Sequence, residues 1–377
     1  MTEYTGWRSR VPILSRCIPM NHCSQAPLTD VTRAAAGRFL DSWNQRGMDW
    51  EAWMDEVRLA KVEFARLINA APEEIAVFSS VSEAASAVAS AFEWTGERTD
   101  AVVSEAEFPG VGQVWLAQVR RGARVRWAGL EPGLPEPDRY RMLIDERTAI
   151  VSACHGYYLD GSVHDLAAIA EAAHERGALL FADAYQTAGA WPLDVKALKV
   201  DFLAAGCLKF LMGTAGIAFL YVRRELIEGL QPSATGWFGR ADPFAFQVRQ
   251  LDWSPTASRF DSGTPPVINA YIARAGMEII NQVGLEAVRA THRRLGSRLI
   301  EQGQARGLTL HGPGDIDRKT VSTAFVVPDS ARLETALRQR GVLASARGPV
   351  IRLAPHFYNT DADVDQALDA LAEVLRP

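Results

Sequence analysis

The run Gly177-Ala-Leu-Leu-Phe-Ala-Asp183-Ala-Tyr-Gln186 ends in an acid, and Asp201-Phe-Leu-Ala-Ala-Gly206-Cys207-Leu208-Lys209 ends in an amine. Apolar runs of this length read as strands buried on both faces of a parallel sheet, so a carboxylate at the end of one needs a partner. A lysine amine can hold a carbonyl cofactor as a Schiff base. A carboxylate can keep a pyridine nitrogen protonated, so that the ring withdraws electrons from a carbanion beside the substrate nitrogen. Asp183 and Lys209 are therefore catalytic candidates for pyridoxal 5'-phosphate (PLP) chemistry. Pairs at such separations also occur as surface salt bridges, so the flanking elements must decide.

Upstream, Ile75-Ala-Val-Phe78 passes through Ser79-Ser80-Val81-Ser82-Glu83 into a helix predicted over 84–92. A small polar loop entering a helix offers free backbone N–H groups to a phosphate, or is an ordinary N-cap by Ser80 or Ser82. A strand at 101–104 meets the turn Glu105-Ala-Glu107-Phe108-Pro109, and a strand at 149–153 leads into His155-Gly156-Tyr157-Tyr158. The spacing Ser162-x-x-Asp165 predicts a capping box for the next helix, which ends at Gly177. Strand and helix in alternation imply right-handed crossovers and a large, mainly parallel sheet with helices on both faces. Ligands in such α/β folds bind at the carboxyl rim of the strands, where Asp183 and Lys209 belong.

The remaining segments frame that sheet. Asn21 and His22 lie in a turn-rich stretch before Thr29, which caps a helix; a second helix at 50–69 repeats Trp53, Val57, Ala60 and Phe64 at helical spacing. The segment 232–266 is loop-rich and aromatic, with Trp237, Arg240 and Thr264. A helix at 267–282 bridges to a small α+β lobe that includes the strand Val350–Leu353 and a last helix capped by Thr360. Three parts are expected: residues 1–27, which join the small lobe and the site; 28–266, the cofactor-binding domain; and 267–377, the linking helix and the C-terminal domain.

The 377 residues are 48% hydrophobic and 23% charged, with a net charge of −5. That is an ordinary globular composition with no general attraction for nucleic acid or an anionic membrane. The four cysteines show no zinc spacing and no dense disulfide pattern, which excludes a metal site of that kind and fits a reduced, cytoplasmic setting. No long apolar run suggests a membrane span or signal segment.

With these pieces in order, the chain resembles the class V aminotransferase family of fold-type I PLP enzymes, which holds cysteine desulfurases, kynureninase, isopenicillin N epimerase and carbon–sulfur lyases. The resemblance runs from Asn21 to the C-terminal helix. It implies Lys209 as the Schiff-base lysine, Asp183 as the pyridinium partner and Gln186 beside the phenolic oxygen. Ser80, Val81 and Ser82 match the phosphate loop, and Phe108 stands where the family stacks a histidine or phenylalanine on the ring. Thr264 resembles the threonine that reaches a neighbour's phosphate across a homodimer interface. Arg352, in Ile351-Arg352-Leu353-Ala-Pro-His356, matches the clamp on the substrate α-carboxylate, for which a guanidinium fork is suited.

Two departures follow. Gly206, Cys207 and Leu208 replace the serine or histidine that often precedes the lysine. The loop Leu343-Ala-Ser-Ala-Arg347-Gly348 lacks the desulfurase cysteine, so persulfide chemistry by the usual route is not expected. The leading expectation is a lyase that eliminates a β-substituent from an amino acid. Transamination or epimerisation on the same scaffold comes second, and kynureninase-like hydrolysis third. Asn21, His22, Tyr157 and Trp237 are substrate-binding candidates, with Tyr158, Arg240 and His356 beside them. A catalytically silent scaffold is disfavoured because both Lys209 and Asp183 are present.

Overall fold

The computed structural model describes residues 4–130 and 136–376. Its first strand, β1 (Ile18–Pro19), belongs to the far lobe. Seven strands then build the large sheet: β2 (Ile75–Phe78), β3 (Asp100–Ser104), β4 (Arg124–Ala128), β5 (Thr148–Cys154), β6 (Leu179–Asp183), β7 (Phe202–Gly206) and β8 (Ala218–Val222). Their order is β2-β8-β7-β6-β5-β3-β4, with β8 antiparallel to both neighbours and the other pairings parallel.

Six of the seven strands are apolar along their length because both faces are covered. Val102, Val151, Leu180, Leu203 and Phe219 enter one core, while Val103, Ile150, Phe181, Phe202 and Leu220 enter the other. Paired residues in the register of a sheet share a face, so Cys154 opposite Asp183 and Ser152 opposite Phe181 put Ser152, Cys154 and Asp183 together. The edge strand β4, Arg-Val-Arg-Trp-Ala, was not expected from the sequence, because its two arginines break the apolar run. Such charge blunts an edge.

The expected small lobe holds a second sheet, β9 (Leu310–His311), β10 (Thr323–Val326), β11 (Val342–Leu343), β12 (Ser345–Arg347) and β13 (Val350–Leu353), in which β12-β13-β10-β9 are antiparallel and β11 pairs with β1. The helix Asp361–Leu375 packs Val364, Leu368 and Leu371 beneath Ile351 and Leu353, and Thr360 caps it as expected. The helix Val267–Val283 does more than link, since Ala270, Met277 and Ile280 lie in the large core and Tyr271 packs on Trp53 and Ala35. Helix Leu166–His174 is capped by Asp165 alone, because the Ser162 hydroxyl is bound to Asp160.

Candidate active site

Asp183 ends β6 and Lys209 follows β7, the neighbouring strand, so the parallel register brings both to one rim. The Asp183 carboxyl is buried and accepts the Tyr185 N–H at 2.8 Å. Burial pushes it above the usual carboxylate range, against the pull of that N–H and of the Lys209 charge. Lys209 keeps part of its surface and lies with Nζ 4.2 Å from the centre of the Tyr185 ring and 5.8 Å from that of Phe108. Burial brings its amine down to about 8; Asp183 opposes that effect, while the charges of Arg352 and Arg347 add to it.

Tyr185 was not singled out by the sequence. It reaches Lys209 because Gly206 has no side chain; a Cβ there would collide with the tyrosine ring. Glu107 was also missed. It is buried, accepts the Ser152 hydroxyl at 2.7 Å and leaves its other oxygen without a partner among the described residues. Burial and the Asp183 charge raise its pKa well above normal. Of the two acids, Glu107 keeps the proton and Asp183, with an N–H donor and a nearby amine, carries the charge.

At the other end of the cleft Arg352 is buried, its guanidinium donating to the Tyr158 carbonyl at 2.5 Å, Ser345 Oγ at 2.6 Å and Ser24 Oγ at 2.9 Å. Its Nε has no partner among the described residues. Tyr158 packs edge-on to Phe108, with ring centres 5.4 Å apart, and to Tyr157 at 5.2 Å, which ties the arginine end to the lysine end. Burial raises the Tyr157 hydroxyl to about 12, so it stays protonated. Gln186 donates to the Cys23 carbonyl at 3.0 Å and leaves its buried Oε1 unpaired.

Ser80 caps the helix Val81–Ser90 by accepting the Glu83 N–H, so the first N–H groups of that helix, on Val81 and Ser82, have no acceptor within it. The start of helix Pro109–Ala117 presses onto Ser82, where a Cβ on Gly110 would come within 2.7 Å of its Oγ. The remaining sequence candidates lie elsewhere in the chain. The His22 ring is fully buried with both nitrogens taken, by the Ala354 carbonyl and the Tyr358 hydroxyl, and burial brings it down to about 4. It braces the lobe and has no ring nitrogen free for substrate. Asn21 bridges to Ala354 through its backbone. His356 is bound to the Phe210 carbonyl and to His292. Trp237 packs with Trp50, Phe244 and Phe246, and Arg240 pairs with Asp252. Thr264 is exposed on the loop beyond Phe260, on a cavity of about 540 Å³ shared with Ser79 and Glu83.

Residues 35–366 match the family described as Aminotransferase class-V. The chain belongs to that family of PLP-dependent enzymes. It is 36% identical to the uncharacterized aminotransferase YcbU of Bacillus subtilis, covering 97% of this chain and 96% of the relative. It is 28% identical to a kynureninase of Pseudomonas fluorescens, over 94% of this chain and 88% of that one. Among solved structures, a C-DES variant with glycine covalently linked to its PLP superposes with a TM-score of 0.88 at 18% identity, covering 97% of this chain and 99% of that one. The fold is that of the fold-type I PLP enzymes, and the cofactor is PLP.

The residues present fit that cofactor. Among the described residues the buried Asp183 carboxyl accepts one hydrogen bond, from a backbone N–H, and forms no ion pair with Lys209, so it can receive a charged donor such as a pyridinium. Gln186 Oε1 and the first N–H groups of the Val81 helix are polar groups still lacking partners in the same region.

Proposed function

We propose that the enzyme removes the α-proton of a free α-amino acid and then expels a β-substituent, as a carbon–sulfur lyase does, without forming a protein persulfide. The observation that carries the second half is the thiol inventory: Cys23, Cys154 and Cys207 are buried, Cys17 lies in the N-terminal segment, and the stretch from β11 through β12, which ends the approach to the Arg352 strand, contains Ser345 but no cysteine. Ser345 is instead engaged with Arg352.

Bound PLP supplies an electron sink that makes the α-proton acidic. The protein does the rest. Arg352 would take the α-carboxylate in a two-pronged hydrogen bond, its plane fixed by Ser24, Ser345 and the Tyr158 carbonyl. With its amine near 8, Lys209 is neutral in roughly a tenth of molecules at pH 7, far more than an ordinary lysine, and can accept a proton. Phe108 and Tyr185 wall its amine on two sides and restrict water. Asp183 would hold the positive charge on the pyridine nitrogen, and Ser80, Val81, Ser82 and Gln186 would hold the phosphate and the phenolic oxygen.

The homodimer belongs to the same proposal. Thr264 is exposed, as are Phe246 and Val248, at 71% and 98%, which suits a surface covered by a second copy. Transamination is the second reading, favoured by the Bacillus relative's name. The deciding experiment follows the absorption spectrum and products of the purified holoprotein and of Lys209→Ala with cysteine conjugates, alanine and kynurenine. Pyruvate and ammonia from a conjugate, lost in Lys209→Ala, support elimination. Conversion to the amine form of the cofactor, reversed by a keto acid, sinks elimination in favour of transamination.

A further inference from the structure

Arg347 is exposed, and its side chain makes no hydrogen bond, ion pair or ring contact among the described residues. Its place is set by β12. In the β12–β13 hairpin Ser345 stands opposite Arg352 and Arg347 opposite Val350, and residues two apart on a strand share a face. Ala346, between them, turns to the core of the C-terminal lobe. Ser345 holds the Arg352 guanidinium, so that face is the one toward the cleft, and Arg347 lies on it about 7 Å further along the strand. Both guanidinium charges help to lower the Lys209 amine, so the two arginines act on the same end of the site as the lysine.

That end of the site has an uneven charge. Its cations are Lys209, Arg352 and Arg347; of its two acids, Asp183 would give its charge to the pyridine nitrogen and Glu107 holds its proton. A single α-carboxylate satisfies Arg352 and leaves Arg347 without a counter-ion. We propose that Arg347 is a second anion anchor and that the substrate is an α-amino acid whose departing β-substituent ends in a carboxylate. This rests on the reading of Arg352 as the α-carboxylate clamp. The two-residue offset between the arginines suits a dicarboxylate about the length of glutarate spanning them, with the α-carbon turned toward Lys209. Arg347 sets specificity and takes no part in the proton transfer.

The test is equilibrium binding of glutarate and of butyrate, which has the same three-carbon chain without the second carboxylate, to the PLP-loaded protein, read by calorimetry. The variants are Arg347→Gln, Arg347→Lys and Arg352→Gln. The wild type is expected to bind glutarate about 10-fold more tightly than butyrate, the size of one charge-assisted hydrogen bond at a solvent-accessible site. Arg347→Gln should bring glutarate down to the butyrate level while leaving butyrate unchanged, and Arg347→Lys should restore part of the preference. A wild type that does not discriminate overturns the proposal, as does an Arg347→Gln protein that keeps the preference or weakens both ligands alike. If Arg352→Gln leaves both ligands bound as before, the clamp itself has failed; loss of both there, with no effect at Arg347, sinks the second anchor alone.

Discussion

Replacing Lys209 by methionine in the PLP-free protein isolates the cost of holding an amine at the bottom of this cleft. The amine titrates at about 8 in the folded chain because burial disfavours its charge, against about 10.4 in an unfolded one. The folded state thus binds the proton more weakly. Below about pH 8 the full penalty applies, and between about 8 and 10.4 the unfolded chain alone retains the proton, so stability rises with pH through that window. Integrating gives a penalty of about 3 kcal/mol at pH 7 that shrinks to about 1 kcal/mol at pH 10. The figure is an upper bound, because Lys209 keeps part of its surface and water screens it. Methionine fills similar volume without charge. Urea unfolding of both proteins at pH 7, 8, 9 and 10 at constant ionic strength should show the variant's advantage over wild type falling by about 2 kcal/mol across the series. Taking the difference cancels the other tyrosines, cysteines and lysines that titrate there. An advantage that does not change with pH would refute the depressed amine, and with it the account of how Lys209 comes to be a base.

Two more outcomes follow from the same site. Glu107→Gln keeps the shape of a carboxyl that burial already holds neutral, so it should retain PLP binding and be more stable than wild type at pH 8, where the unfolded glutamate ionises and the folded one does not; Glu107→Ala, which strands the Ser152 hydroxyl, should be about 1–3 kcal/mol less stable than Glu107→Gln at every pH. Sedimentation should find a dimer in wild type, and Val248→Asp should shift it toward monomer with loss of PLP affinity if Thr264 serves the neighbour's phosphate; a monomeric wild type with full PLP occupancy removes that role.

The sequence reveals the rim and hides what lies behind it. Asp183 and Lys209 stand out because each ends an apolar run that is fully buried in the sheet, a pattern with few other uses. Glu107 does not, since Glu-Ala-Glu-Phe-Pro reads as a polar turn and only the parallel pairing of β3 with β5 carries it to Ser152. Tyr185 is hidden for a related reason: its direction depends on the empty space over Gly206, a contact between strands. His22 shows the reverse. Its type suggested chemistry, but neither composition nor spacing says which way a ring points, and the ring turns inward to Ala354 and Tyr358. β12 is only three residues long, too short for its alternation to be visible, so Arg347 was read as part of a loop.

The N-terminal segment has a consequence for how the chain matures. β1 lies parallel to β11, Arg8 pairs with Asp363, and Ser24 touches Arg352 and Ser345, so residues near the start close a lobe made from the last hundred. During synthesis β1, Arg8 and Ser24 find these partners only when nearly all of the chain has left the ribosome. The large sheet, with Asp183 and Lys209, can form earlier from contacts nearer in sequence. The half of the cleft that grips the cofactor therefore matures before the half that selects what it acts on.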